Sequence, residues 1–95
     1  MDQLLFVMLM EDHRPLTGEV VECHVAHLRA LDDAGQLALC GPFADCGGGM
    51  VVLRAATWEA ADQLARSDPF IREGYKTYRL RTLEVAHREN GYLLG

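Results

Sequence analysis

The segment ECHVAHLRAL at 22–31 carries two imidazoles, His24 and His27, in a stretch with the apolar spacing of an amphipathic helix. At about 100° per residue, His24 falls at the centre of the apolar arc and His27 falls at its edge. A charged imidazole that faces a core without a partner is unfavourable, so His24 must be neutral, hydrogen-bonded or part of a cavity wall. Because histidine commonly transfers protons in enzymes, His24 is the candidate general acid or base. His27 needs no special explanation.

Asp68 is the candidate partner of His24. It stands directly before Pro69, which is the pattern of a helix N-cap followed by proline at the first helical position. If this turn comes back toward the first helix, Asp68 would orient the His24 imidazole and raise its basicity. Capping alone also explains the carboxylate, and helical periodicity alone favours a core histidine bonded to a main-chain carbonyl. Both interpretations stay open at this point.

Other residue types that could do chemistry are less favoured by their spacing. Cys23 points about 100° away from His24 on the helix, and no second cluster of ligands follows, so no metal site is predicted. The glycine triplet at 47–49 lacks the Lys-Ser or Lys-Thr of a phosphate loop and lies between two predicted strands. Cys40 is interpreted as a small buried hydrophobe and not as a nucleophile. No cofactor is expected.

Composition restricts the class of protein. The chain has 95 residues, of which 49% are hydrophobic, and this length supports a single domain over 1–95. The net charge is -5 and no basic stripe is present, which argues against a nucleic-acid partner. The apolar run at 4–10 has no basic flank and is much shorter than the roughly 20 residues of a membrane span, so no membrane partner is expected. With 3 cysteines and no CxxC pair, a reducing cytoplasm is the expected location.

The elements that must position His24 and Asp68 follow the order βαββαβ. We expect strands over 3–10, 36–43, 49–55 and 75–86, and helices over 18–34 and 58–67. Gly35 can adopt the positive φ that ends the first helix, and Thr57 can cap the second. This order predicts an α+β fold, the ferredoxin-like sandwich, in which a four-stranded antiparallel sheet carries both helices on one face.

The first and third predicted strands also indicate an assembly. Their cores, LLFVMLM at 4–10 and MVVL at 50–53, are apolar on both faces. Helices cover one face of this sheet, so these central strands would leave a large apolar patch exposed on the other. A second copy of the sheet is the simplest cover. The pattern therefore predicts an obligate or near-obligate homodimer with its sheets packed face to face.

Several of these residues share a spacing that runs from the first strand to the fourth, namely His24, Gly35, the GP pair at 41–42, the DPF run at 68–70 and Gly74. In this spacing the chain resembles the YciI-like (YCII-related) family. The family's histidine precedes the helix-ending glycine by the same interval, so it corresponds to His24 and not to His27. The resemblance implies a dimeric α+β barrel, with His24 and Asp68 as a His-Asp pair in a pocket.

The resemblance also implies an activity. It is that of a small-molecule lyase or isomerase similar to chloromuconolactone dehalogenase, in which His24 would act as general acid or base and Asp68 would orient it. The expected ligand is a small anion, and the expected assembly is a homodimer or a higher assembly of dimers. The alternative is a non-catalytic dimeric module that binds a ligand or a partner, in which the two residues form a structural pair.

The chain departs from the family at Val21, where many members have an arginine. If that arginine binds a substrate carboxylate, this protein needs another cation or takes a different ligand. Nothing in the sequence selects among the available arginines, which are Arg14, Arg54, Arg72 and Arg79.

Overall fold

The computed structural model describes residues 3–94 as four strands, three α-helices and a short C-terminal 3₁₀ segment. In chain order the strands and α-helices are β1 (Leu4–Asp12), α1 (Gly18–Asp33), β2 (Leu37–Pro42), β3 (Gly49–Leu53), α2 (Trp58–Arg66), α3 (Pro69–Arg72) and β4 (Lys76–Glu84). The 3₁₀ segment spans Arg88–Leu93. Met1, Asp2 and Gly95, the ends of the domain expected over 1–95, lie outside the described residues.

The sheet has the strand order β2-β3-β1-β4, and its neighbouring strands are antiparallel. The two central strands are therefore β1 and β3, as in a ferredoxin-like sheet. In the register, Met8 of β1 lies between Val51 of β3 and Leu80 of β4. The predicted α+β sandwich is confirmed, with the addition of α3, a single helical turn where the sequence indicated only a capped turn.

The ends of the helices follow from local chemistry. The Thr17 hydroxyl accepts a hydrogen bond from the Val20 backbone N–H and caps α1, while Thr57 does the same for α2 through Ala60. After α1 the chain turns at Gly35, whose φ of 72° is strained for residues with a side chain. Within residues 3–94, no helix is both long and apolar enough to cross a membrane.

The core lies between the helices and the central strands. Alternate residues of β1, namely Phe6, Met8 and Met10, are at most 5% exposed and pack in one cluster with Val20 of α1 and Ala61 of α2. Burial of a large apolar side chain stabilises a fold by about 1.5–3 kcal/mol. This cluster therefore fixes α1 and the α2–α3 segment on the same face of the sheet.

The opposite, helix-free face of the sheet is also apolar at its centre. Val7 and Val52 are register partners there, and Val52 is only 4% exposed although no helix covers this face. Leu39 on β2 and Leu83 on β4 flank this centre and are 57% and 47% exposed. The two-sided apolar pattern of the central strands is thus present in the fold, and the homodimer that it suggests stays a prediction.

Candidate functional site

A cavity of about 450 Å³ lies between α1 and the β2–β3 half of the sheet. Its walls are mostly apolar and include Val21 and Val25 of α1 and Val51 of β3. Among the described residues that line it, the basic side chains are His24 and Lys76. A cavity of this size, apolar with few polar groups, suits a small organic molecule.

His24 and Asp68, the two site residues predicted from the sequence, are in direct contact. His24 Nδ1 lies 2.8 Å from Asp68 Oδ1, and the side chains are 12% and 2% exposed. An ionised carboxylate can only accept, so this contact corresponds to an imidazole with its proton on Nδ1. Nε2 of His24 is then the ring nitrogen left to accept a proton. In the described part of the chain, the ring makes no hydrogen bond other than the one to Asp68.

The carboxylate of Asp68 is held in place by the backbone that follows it. Its Oδ1 accepts a second hydrogen bond, of 2.9 Å, from the Phe70 N–H and so caps α3, with Pro69 at the start of that helix. The Asp-Pro pattern predicted this cap. The contact with His24 was one of two interpretations that the sequence left open, and α3 packing against α1 is what brings the two side chains together.

Phe70 fixes the plane of the imidazole. The His24 and Phe70 rings are stacked, with centroids 3.8 Å apart and an interplanar angle of 12°. Together with the bond to Asp68, this stacking restricts rotation of the imidazole about its side-chain bonds. In the sequence, Phe70 was notable only as part of the DPF run, and no pattern indicated that its ring stacks on His24.

Lys76 is the functional candidate that sequence reasoning missed. It is the first residue of β4, is 8% exposed, and lines the cavity. Its Nζ lies 3.1 Å from Asp12 Oδ1 and 5.0 Å from the centroid of the Phe70 ring. The available signal was the alternation of β4, in which Lys76 falls on the same face as the half-buried Tyr78 and Leu80.

The arginines considered as a replacement for the family's arginine all lie outside the cavity lining, whereas Val21 is part of it. Arg14 stacks on the Tyr75 ring at 3.7 Å, and Arg79 lies 3.4 Å from Glu11. The other two are Arg54, which donates to the Leu37 carbonyl, and Arg72, which lies 4.0 Å from Glu73. Among the described residues, Lys76 is therefore the cation that the cavity offers in place of an arginine at Val21.

Asp12 anchors this cation to the β2–β3 turn. One oxygen faces Lys76, and the other accepts a 3.1 Å hydrogen bond from the Gly48 N–H. The Lys76 hydrogen bond, followed by that of Gly48, holds the pKa of Asp12 below its ordinary value. Gly48 has a φ of 83°, and a Cβ there would overlap the Met10 carbonyl oxygen, so only glycine fits this turn.

His27 lies beside the site but does not line the cavity. It is half-buried, and burial lowers its pKa below the ordinary value because the imidazolium loses hydration. The negative charge of Asp68 opposes this effect, and the nearby His24 reinforces it. His27 thus differs from His24 in having no place at the cavity wall.

The cysteines are all unpaired and exposed, namely Cys23, Cys40 and Cys46. The expectation that Cys40 is buried was wrong, because β2 is an edge strand and leaves this side chain open at the cavity. Within residues 3–94, no three His, Cys, Asp or Glu side chains converge in a way that could hold a metal ion.

The fold and the cavity define a class of protein. The chain has a ferredoxin-like sandwich with a small apolar cavity on the helical side of its sheet. The family model of the YCII-related domain matches residues 1–84, and the chain therefore belongs to the YCII-related family. A search of curated proteins gives no match.

Two solved structures are similar to the chain in fold. One is 5-chloro-2-hydroxyhydroquinone dehydrochlorinase from Burkholderia phenoliruptrix AC1100, in complex with 2,5-dihydroxybenzoquinone. It is 20% identical with a TM-score of 0.68, over 90% of this chain and 97% of that chain. The other is muconolactone isomerase, which is 13% identical with a TM-score of 0.65, over 87% of this chain and 88% of that chain.

Proposed function

We propose that the protein is a small-molecule lyase or isomerase in which His24 is the general acid or base and Asp68 orients it. The observation that carries the proposal is the 2.8 Å contact between His24 Nδ1 and Asp68 Oδ1 at the wall of a small apolar cavity. A dehydrochlorinase and an isomerase with the same fold, at 20% and 13% identity, support this choice of reaction class.

The proposed chemistry begins with neutral His24. Its Nε2 removes a proton from a carbon next to a carbonyl group, and the imidazolium that forms is stabilised by the Asp68 carboxylate. In an isomerisation the proton is returned to a different carbon, so that the double bond moves. In an elimination a leaving group departs from the adjacent carbon. The apolar walls exclude water and strengthen the electrostatic interaction between the two side chains.

The proposed assembly is a homodimer formed through the helix-free face of the sheet. Val7 and Val52 lie at the centre of that face, and the exposed Leu39 and Leu83 lie on the flanking strands, where Arg79 and Arg81 of β4 share the face. Packing of two such faces would remove this surface from water. A cytoplasmic location is proposed for a separate reason, since a reducing compartment keeps exposed, unpaired cysteines in the thiol form.

A second candidate function is a non-catalytic module that binds a small ligand. The hydrogen bond from the Phe70 N–H to Asp68 favours it, because this cap holds the carboxylate in place whether or not any reaction takes place. The two functions differ in the effect of a substitution that removes Nε2 of His24 but keeps a donor for Asp68.

His24→Asn is that substitution, since the asparagine amide can donate from near the position of Nδ1 and has no basic nitrogen. Wild type and variant are screened for turnover of small lactones, enol acids and chlorinated acids by ultraviolet absorbance and chloride release. We expect the variant to remain folded and to lose about 10²- to 10⁴-fold in kcat. His27→Asn is the matched control, because it changes a half-buried histidine of the same helix outside the cavity, and it should retain turnover.

Full turnover by His24→Asn would exclude His24 as the general acid or base. Ligand-induced stabilisation of the wild type without turnover of any of these compound classes would favour the binding module.

A further inference from the structure

Lys76 is a buried charged group of the cavity that the proton transfer described above does not use. We propose that its ammonium group binds an anionic oxygen of the substrate and holds the enolate oxygen that develops when His24 removes a proton. This inference rests on the proposed function and specifies its substrate as a small enolisable compound with a carbonyl or carboxylate oxygen beside the reacting carbon.

The ammonium group has donors to spare. A lysine Nζ carries three N–H groups, and Asp12 Oδ1 at 3.1 Å is its ion-pair partner. In the described part of the chain, no other acceptor lies within hydrogen-bond distance of Nζ. Since the Lys76 side chain is 8% exposed and lines the cavity, a ligand in the cavity can supply the missing acceptor.

His24 and Lys76 are positioned by the same aromatic ring. The imidazole stacks on Phe70 with centroids 3.8 Å apart, and Nζ lies 5.0 Å from the centroid of that ring. Both residues also line the cavity, so a ligand bound there can contact the base and the cation. Removal of a proton from a carbon next to a carbonyl group places negative charge on the carbonyl oxygen, which is the atom that a nearby ammonium group can stabilise.

Asp12, the ion-pair partner of Lys76, offsets only part of the positive charge of the ammonium group. The Asp12 side chain is 56% exposed, so solvent screens its carboxylate, whereas the Lys76 side chain is 8% exposed and lines a mostly apolar cavity. A charge in such surroundings acts more strongly on a ligand than it would in water. Asp12 is also fixed by the Gly48 N–H, so its ion pair restricts the movement of Nζ.

The step balances without a further reactant. The C–H bond breaks, its proton forms a bond to Nε2 of His24, and its electron pair becomes a C=C bond. The carbonyl π electrons move to the oxygen, whose negative charge Lys76 stabilises through an N–H hydrogen bond. When the carbonyl forms again, the electron pair either takes back the proton at another carbon or expels a leaving group, which carries the pair away.

The test uses 4-nitrophenol, a small ring compound whose neutral and ionised forms differ in colour, so that its ionisation can be followed when bound. It is titrated with pH in the presence of wild type, Lys76→Met and the control Arg29→Met, which changes an exposed arginine of α1 outside the cavity. Methionine keeps an unbranched stem over Phe70 and removes the charge. The measured quantity is the ratio of the affinities for the ionised and the neutral form of 4-nitrophenol. We expect this ratio to be at least about tenfold higher for wild type and the control than for Lys76→Met.

An unchanged preference for the anion in Lys76→Met would overturn the proposal. If that variant does not fold, Lys76→Gln replaces it, since glutamine keeps a donor without the charge. His24→Asn separates this inference from the proposed function, because it retains Lys76 and should keep the preference for the anion while turnover is lost. A Lys76-dependent preference in a protein without turnover would support Lys76 as the anion-binding residue and count against the proposed function alone.

Discussion

Asp68 is the residue at which stability and chemistry can be separated most sharply. Its Oδ1 accepts one hydrogen bond from the Phe70 N–H at 2.9 Å and one from His24 Nδ1 at 2.8 Å, and the residue is 1% exposed. Asp68→Ala removes both acceptor contacts. Asp68→Asn keeps an oxygen that can accept from the Phe70 N–H and removes only the charge and one acceptor site.

The two substitutions should therefore differ in their effect on the free energy of unfolding. Loss of an N-cap costs about 1 kcal/mol, and a buried donor left without a partner costs about 1–3 kcal/mol. For Asp68→Ala we expect a loss of about 2–4 kcal/mol, which lowers the Tm of a domain of this size by roughly 10–25 °C. For Asp68→Asn, whose oxygen still caps α3, we expect a loss of about 1 kcal/mol.

Turnover should respond in a different order. The asparagine cannot stabilise an imidazolium at His24, so Asp68→Asn should lose about 10²- to 10⁴-fold in kcat even though it is folded. Thermal unfolding followed by circular dichroism gives the stability, at one fixed protein concentration because association shifts Tm. Equal destabilisation by alanine and asparagine would refute the role assigned to the Phe70 hydrogen bond. Undiminished turnover by the asparagine variant would refute the orienting role of the carboxylate.

Two further predictions concern the assembly and the response to pH. Val7→Lys places a charge at the centre of the helix-free face, beside Arg81, and should convert the dimer to a monomer in size-exclusion chromatography. The control Ala26→Lys, on the exposed surface of α1, should remain a dimer. A wild type that elutes as a monomer at micromolar concentration would contradict the proposed dimer. The lowered pKa of His27 means that the unfolded chain takes up a proton before the folded chain does as pH falls below the ordinary value of 6.5. The free energy of unfolding should therefore decrease as pH falls through this range. His27→Asn should make this decrease smaller in urea unfolding measured between about pH 8 and pH 5. An unchanged pH dependence would exclude His27 as its source.

The fold could be predicted because its signals are local. The two-sided apolar strands, the capping threonines and Gly35 each act within a few residues, and together they define the order of the elements. The position of Asp68 at a helix start was predictable for the same reason. Its contact with His24 was expected only from the family resemblance, because local patterns do not show how α3 packs against α1, and residues 24 and 68 are 44 positions apart.

The errors at the site have a physical cause. A lysine at the start of a strand is usually solvated, whereas Lys76 is buried against Asp12 and the Phe70 ring, which come from other elements. An arginine was expected to replace the one that many family members have at the position of Val21, yet the candidate arginines form contacts outside the cavity. The prediction that Cys40 is buried was wrong because strand composition does not reveal which strand lies at the edge of a sheet.

The double use of one oxygen of Asp68 bears on how relatives of this protein can be interpreted. Selection for a well-formed α3 would by itself retain an acceptor at position 68, and asparagine, serine or threonine could fill that duty as well as aspartate. Only proton transfer at His24 demands the carboxylate. Under the proposed function, a relative that carries a neutral capping residue there would keep the architecture of α3 without the proposed proton transfer.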